Sequence, residues 1–390
     1  MKKIHKAYRF RLYPTEKQKE LLAKHFGCCR FIYNRFLQAR QDYYKETGET
    51  LNVYACIKLL PQLKQELPWL QEVNSQALQC SLGNLEVAYT KFFKGQTKYP
   101  KFKAKGSYQS FCIPQFFSLS GNKLYIPKFK KNNALRIKVH KPLEGKPLYV
   151  HISKTPTNKY FATITCELEL AEPQFEGATI GIDLGIKSFA VTSEGESIEH
   201  PHFLLKDERK LAQAQRRLSK KQKGSKNRDK AKLRVAQIHE RIANRRKDFL
   251  HKTSKRLVDE NQVIYLEDLS VKHMLEQGLH SLAKRIQDSG WSEFRRQLTY
   301  KGDWRGCYVT AIDPFAPSSK RCSVCGAINR ELTLADRTWT CANCLTLHDR
   351  DQNASQNILY FGRAGTARTD KLVEQDASPA LKQEADLAAS

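Results

Sequence analysis

Apolar and polar positions alternate over residues 3–13, Tyr13-Pro14-Thr15 breaks the pattern, and apolar residues then recur every three or four positions. The chain therefore opens with a strand followed by helix. Leu21, Leu22, His25, Phe26, Cys29, Ile32, Tyr33, Phe36 and Leu37 form an apolar stripe over about 16–46, one helix or two divided at Gly27. A second helix is expected over 74–94, capped by Asn74. Short alternating runs at 111–117, 122–128, 134–140, 147–153 and 159–168 predict a mostly antiparallel sheet. The first helical block would then be inserted behind that sheet's opening strand.

Glu172-Pro173 marks a boundary, and 177–192 reads as strand, glycine turn and strand. Two long amphipathic helices joined through Lys223-Gly224-Ser225-Lys226 follow, then a strand at 263–267, a helix over 281–299, a strand at 307–312 and a final helix over 351–361. Residues 364–390 show no sustained pattern and are expected to be mobile and inessential to any chemistry.

Charge changes this picture. The 390 residues carry 67 Lys and Arg against 40 Asp and Glu, a net charge of +27, so a polyanion is the natural partner. Residues 206–256 alone hold 20 Lys and Arg and 5 Asp and Glu, too one-sided for ordinary charge pairing on a solvated face. Arg216, Arg217, Arg245, Arg246 and Lys247 are candidates for nucleic-acid backbone contact. No apolar run reaches the roughly 20 residues needed to cross a bilayer, and Met1 to Phe10 lacks the apolar stretch of a signal peptide. A cytoplasmic protein without a membrane partner is expected.

Cys322-x2-Cys325 and Cys341-x2-Cys344 have the spacing of two knuckles that converge on one structural zinc. The other seven cysteines, Cys28, Cys29, Cys56, Cys80, Cys112, Cys166 and Cys307, lack such spacing and read as small buried apolar residues.

Three acids stand out. In Ile180-Gly-Ile-Asp-Leu-Gly-Ile-Lys187, the residues Gly181, Asp183 and Gly185 share one strand face, and the two glycines would leave room for a metal and a phosphate backbone. Asp183 is read as a ligand, an ordinary Asp-x-Gly turn being the alternative. Val263-Ile-Tyr-Leu-Glu-Asp-Leu269 is a buried-type strand ending in Glu267 and Asp268, which point to opposite faces, so one of them joins Asp183; Glu267 is favoured. In His348-Asp-Arg-Asp-Gln-Asn-Ala354, Asp351 is the candidate ligand, Asp349 is the alternative ligand or the helix cap, and Asn353 and Asn357 are possible orienting groups. Hard oxygen ligands of this kind suit Mg²⁺ or Mn²⁺, and two such ions suit phosphodiester cleavage.

These segments in this order resemble the TnpB (OrfB) family of transposon-encoded relatives of type V CRISPR effectors. The resemblance rests on Tyr8-Arg-Phe-Arg-Leu-Tyr-Pro-Thr15, Gly181-Ile-Asp-Leu-Gly185, Leu266-Glu-Asp-Leu269, the paired knuckles with Gly326, and Asp349-Arg-Asp-Gln-Asn-Ala354. It implies an α/β RNase H-like (RuvC-like) nuclease domain over 177–317 and 347–363, with a zinc ribbon inserted at 318–346. It also implies an antiparallel β wedge domain over 1–13 and 95–172, with a helical recognition domain, 14–94, inserted in it. The implied activity is cleavage of double-stranded DNA beside a transposon-adjacent motif, directed by a guide RNA from the transposon end. The implied working form is a monomer in the RNA–protein complex, associated with the nucleoid when bound to DNA. The catalytic acids carry over to Asp183, Glu267 and Asp351, and the zinc ligands to Cys322, Cys325, Cys341 and Cys344. Tyr54, Gln76 and Gln79 are candidates for reading the adjacent motif, a polar helix face being an equal reading. The rival functions are a guided DNA-binding repressor that does not cut and a transposase that joins strands.

Overall fold

The computed structural model describes residues 2–368 apart from 107, 130, 171–176, 278–279 and 334. The boundary at Glu172-Pro173 and most of the segment 364–390 fall outside the described residues. These form two compact units, one ending at Glu169 and the other beginning at Leu170.

The first unit opens with strand β1 (Lys2–Leu12) and helices α1 (Glu16–Thr47), α2 (Val53–Lys58), α3 (Leu60–Glu66) and α4 (Ser75–Phe93). Strands β2 (Gln109–Ile113), β3 (Ser118–Ser120), β4 (Lys123–Tyr125), β5 (Leu135–Lys138), β6 (Lys146–Lys154) and β7 (Tyr160–Leu170) follow. They make one seven-stranded sheet in the order β2-β6-β7-β1-β5-β4-β3, so the first strand lies inside a sheet whose other members come after the helices. Thr15 and Gln18 close a capping box on α1, and Gly48 ends it at φ 72°. Gly27 does not divide α1: it sits inside the helix with open space where a Cβ would go. Asn74 caps α4 through Ala77 N–H. Phe10 and Leu12 of β1, Leu22 and Phe26 of α1, Leu78 and Leu82 of α4, and Ile113, Val150 and Ile164 of the sheet belong to one hydrophobic core. The helices have no core of their own apart from the sheet.

The second unit begins with β8 (Ala178–Leu184), β9 (Ser188–Thr192), β10 (Ser197–Glu199), α5 (Phe203–Ser219), α6 (Lys226–Glu260) and β11 (Asn261–Leu266). It continues with α7 (Val271–Gln277), α8 (His280–Ser289), α9 (Trp291–Arg305), β12 (Tyr308–Ile312), β13 (Thr338–Thr340), β14 (Leu347–Asp349), α10 (Arg350–Phe361) and β15 (Ala367–Arg368). The main sheet runs β10-β9-β8-β11-β12-β15. Strands β8, β9 and β10 are successively antiparallel, whereas β11 is parallel to both β8 and β12.

Ile180, Ile182, Leu257, Ile264, Phe294 and Leu298 form the core between this sheet, α6 and α9. Leu211 and Ala214 of α5 pack on Ile238 and Ile242 of α6, which leaves the basic faces of both helices outward. The helix expected over 281–299 is two helices, because Gly290 at φ 68° turns the chain between α8 and α9. The start of the segment expected to be patternless also has structure: β15 adds an antiparallel edge strand, pairing Ala367 with Ile312 and Arg368 with Ala311. All seven cysteines outside the knuckles are buried.

Candidate functional site

Strand register sets two of the three acids side by side. Tyr265 pairs with Gly181 and Leu266 with Ile182 across the parallel strands β11 and β8, so the next pair along is Glu267 beside Asp183. Helix α10 supplies the third. A Cβ on Gly181 would meet Ser355 O at 2.3 Å and Leu359 N at 2.5 Å, so the helix backbone rests directly on the strand there. Two residues along a strand advance about 6.6 Å, and four residues back along a helix about 6 Å. Stepping from Gly181 to Asp183 and from Ser355 to Asp351 therefore brings the two carboxylates to the same level.

The electrostatics agree. The Asp183 carboxyl is pushed up to about 8, first by burial, then by the charges of Glu267 and Asp351, with Arg350 and the Leu184 N–H opposing. Asp183 nevertheless keeps part of its surface open to solvent, as a ligand-binding acid requires. Burial also raises Glu267, against a hydrogen bond donated by Ser318 Oγ to its Oε1 at 3.3 Å. Among the described residues only the four knuckle cysteines have all their ligand atoms within 4.8 Å. The oxygen donors and the unrelieved charge fit Mg²⁺ or Mn²⁺.

One expectation is corrected here. Gly181 and Gly185 do not hold space open for a metal and a phosphate. Gly181 is filled by α10, and a Cβ on Gly185 would lie 2.9 Å from Ser188 O. Their small size serves the protein's own packing. The neighbouring acids have other tasks: Asp268 pairs with Arg295 at 2.6 Å, and Asp349 is the α10 N-cap, accepting from the N–H groups of Asp351 and Gln352 at 3.0 Å each.

The knuckles bring Cys322, Cys325, Cys341 and Cys344 together. Sγ atoms of Cys322 and Cys344, and of Cys325 and Cys341, are 3.6 Å apart, and His348 Nε2 lies 3.1 Å from Cys322 Sγ. Four soft thiols at this spacing fit a structural zinc, with His348 positioned as an outer-shell donor. Apart from the cysteines, the local core amounts to Leu332 and Trp339 with Ala327 packed against them, too little to hold the segment without a metal. Elemental analysis is expected to find one zinc per chain, and chelation to make 318–349 protease-sensitive as Trp339 loses its burial. An intact segment after complete zinc removal would contradict this.

Gly326 follows the first knuckle at φ 80°, and Leu345 holds the matching place after the second at φ 57°. Their N–H groups donate alike, to Cys322 O at 3.0 Å and Cys341 O at 2.9 Å. Leucine is strained in that conformation, and its side chain is 77% exposed. Leu345→Gly is therefore expected to stabilise the module by about 1 kcal/mol, read as slower zinc loss to a chelator; faster loss would contradict the strain.

Helix α10 joins the two centres. Asn353 Nδ2 donates to Arg321 O at 2.8 Å, and its Oδ1 accepts from Ser323 N–H at 2.9 Å. Asn357 Nδ2 donates to Ser318 O and Arg321 O at 2.8 and 2.6 Å, and its Oδ1 accepts from Arg321 Nη1 at 2.8 Å. Both asparagines are buried, so α10 is fastened to the first knuckle on one side and laid on Gly181 on the other.

The basic candidates divide. Arg216 and Arg217 are exposed at the end of α5. Arg245 binds Asp207 at 3.2 Å, Arg246 binds the buried Asp288, and Lys247 lies exposed on α6. Arg245 and Arg246 thus each partner a buried acid, Arg245 from an exposed position and Arg246 from a half-buried one. In the first unit, Tyr54 is exposed on α2, Gln79 is exposed on α4, and Gln76 donates to Gln115 Oε1 at 3.2 Å.

A protein of Streptomyces pristinaespiralis named "Putative RNA-guided DNA endonuclease" is 38% identical over 96% of this chain and 94% of its own length. The chain belongs to the TnpB (OrfB) family. InsQ of Escherichia coli K12, also named "Putative RNA-guided DNA endonuclease", is 33% identical over 98% of each chain. An OrfB family model described as "Probable transposase" matches residues 163–277, and one described as "Cas12f1-like, TNB domain" matches 291–358. A third, "Helix-turn-helix domain", matches 1–49, where the described residues form one strand and a single long helix. The structure titled "Cryo-EM structure of the Cas12f1-sgRNA-target DNA complex" aligns with 91% of this chain and 98% of that chain at 15% identity, with a TM-score of 0.35. No described helix is long and apolar enough to cross a membrane.

Reasoning from the sequence missed Ser318, Arg350 and the packing role of Gly181. Ser318 and Arg350 carry no spacing signal. The Gly181 signal was present in the Gly-x-Asp pattern but had two readings.

Proposed function

We propose that this family member is an RNA-guided DNA endonuclease encoded by a transposon, with Asp183, Glu267 and Asp351 as its catalytic acids. The observation that carries the reading is the strand register that sets Glu267 beside Asp183, where the Asp183 carboxyl is pushed up to about 8 by burial first and then by the charges of Glu267 and Asp351. Acids gathered in this way in a chain of net charge +27 suit a cation-dependent attack on a polyanion. Three antiparallel strands followed by two parallel ones, with acids on adjacent strands, support an RNase H-like (RuvC-like) domain over 177–317 and 347–363. The zinc ribbon is 318–346, and the wedge over 1–13 and 95–172 carries the recognition helices of 14–94. The names of the relatives support the guide RNA and the DNA substrate.

Asp183, Glu267 and Asp351 would hold Mg²⁺ or Mn²⁺, which when bound activates water and stabilises the leaving oxygen. Ser318 orients Glu267, and Asp349 fixes the first turn of α10. The exposed Arg216 and Arg217 attract the backbone, so their loss weakens binding at every sequence and lowers its salt dependence. Tyr54, Gln76 and Gln79 are assigned to the adjacent motif. The products are 5′-phosphate and 3′-hydroxyl ends.

The complex copurified with its transposon-end RNA is expected to cut a matching duplex in Mg²⁺ or Mn²⁺ and to be inert without either. Tight guided binding with no cutting would instead identify a repressor, and joined DNA ends a transposase.

A further inference from the structure

A cavity of about 450 Å³ in the second unit is lined by Ile186, Lys187, His202, Leu282, Arg285 and Arg337. We propose that it binds a phosphate of the DNA strand being cut, next to the scissile one. The inference rests on the nuclease reading of the acid site and adds to it a place where the strand is gripped.

The lining is cationic and uncompensated. Lys187, Arg285 and Arg337 are exposed, and none of their side chains has an acidic partner among the described residues. Three such charges around one hollow repel one another until an anion enters. A planar guanidinium can grip two phosphate oxygens at once. Ile186 and Leu282 add an apolar wall suited to a sugar.

The start of α5 opens onto the same cavity. His202 is its N-cap, at φ 47° and ψ 49°, and makes no side-chain cap bond. The positive end of this 17-residue helix is met by Asp288, whose Oδ2 accepts the Leu204 N–H at 2.9 Å, so the anion site rests on the three cations and not on the helix end. The left-handed backbone of His202 is costly for a residue with a Cβ. It is held by stacking on His200 at 4.2 Å, with His202 N–H donating to His200 Nδ1 at 3.0 Å. Because Nδ1 accepts, His200 Nε2 is the protonated nitrogen and donates to Ser289 Oγ at 2.9 Å. The imidazole of His202 is thus fixed at the cavity wall by a neighbour that is itself anchored.

Position identifies the ligand. Lys187 lies four residues beyond Asp183. Arg337 accepts the Arg350 N–H at 2.8 Å through its carbonyl, beside Asp351. Two residues of the cavity lining thus follow from the elements that carry the acids, one just beyond β8 and one bonded to the start of α10, on the side where the continuation of a strand lying on the acids would pass. A neighbouring phosphate meets cations at that point, while the scissile one meets the acids and their ions.

The test is single-turnover cleavage by the assembled guide RNA–protein complex on DNA with one uncharged methylphosphonate linkage moved stepwise through the cleavage region. At one or two positions flanking the cut, the wild-type rate is expected to fall roughly ten- to a hundredfold, the range for a lost charge-assisted contact. Arg285→Gln/Arg337→Gln is expected to be slowed by a similar factor on unmodified DNA and to be indifferent to those same linkages. Arg285→Lys/Arg337→Lys should recover part of the rate, and all three proteins should melt alike.

A wild-type complex that cuts, beside a double Gln variant that cuts as fast or stays sensitive to the same linkages, overturns the pocket and leaves the nuclease standing. A complex that binds but never cuts overturns the nuclease. The pocket is then decided by affinity for the same modified DNAs, standing only if those linkages weaken wild-type binding and not the variant's. Inhibition of the wild type alone by millimolar inorganic phosphate, without position-specific linkage effects, would assign the cavity to free phosphate and overturn the strand assignment.

Discussion

Asp183→Ala is expected to slow cleavage of a guided target by roughly a thousandfold or more, and Asp351→Ala to do the same, with affinity for guide and target unchanged. The Asp183 carboxyl lies beside Glu267, so on the proposed reading its loss removes a shared metal ligand. Parallel loss of melting temperature and RNA binding would mean that these acids are structural.

Stability should move the other way in magnesium-free buffer. The folded-state value of Asp183 is about 8 against 3.8 for the free side chain. Between pH 4 and 8 the folded chain therefore binds the more protons, and stability falls as pH rises through that window. Asp183→Asn escapes this penalty. Its advantage over the wild type is expected to grow by on the order of 2 kcal/mol from pH 4 to pH 8 and to shrink when Mg²⁺ stabilises only the wild type. An advantage that is the same at pH 5 and pH 8 in denaturant titrations would contradict the raised value.

Gly181→Ala is expected to abolish cleavage as completely, by another route. The added methyl would meet backbone atoms Ser355 O and Leu359 N at 2.3 and 2.5 Å, which no rotamer can relieve. Helix α10 must lift from β8 and carry Asp351 away from Asp183. The cost is about 3 kcal/mol, a fall of roughly 10 °C in the melting of the second unit, with the first unit unaffected. Wild-type melting and activity together would show that α10 does not rest on that glycine.

Much of this centre was legible along the chain because strands advertise their faces. Asp183 and Glu267 interrupt apolar runs whose period of two leaves little doubt which side each acid occupies. The knuckles were legible for a similar reason, since four thiols at fixed spacing have few other uses. What could not be read are contacts whose partner is remote in sequence. Gly181 looked like space for a ligand because nothing local says that Ser355 covers it. Ser318 on Glu267, Asp207 and Asp288 on the two arginines, and Ala367 and Arg368 on β12 are of the same kind. Leu345 was hidden differently, because a leucine in a left-handed turn runs against its own propensity and is revealed only by comparison with Gly326.

Helix α10 also sets an order of events during synthesis. Every residue of the first unit and two of the three acids leave the ribosome before Asp351 does, and the helix that seats it ends at Phe361. A chain halted by a premature stop between Thr310 and Arg350 would include the amino-terminal unit and the basic helices yet lack its last acid, so translation completes the charged scaffold well before it completes the acid cluster.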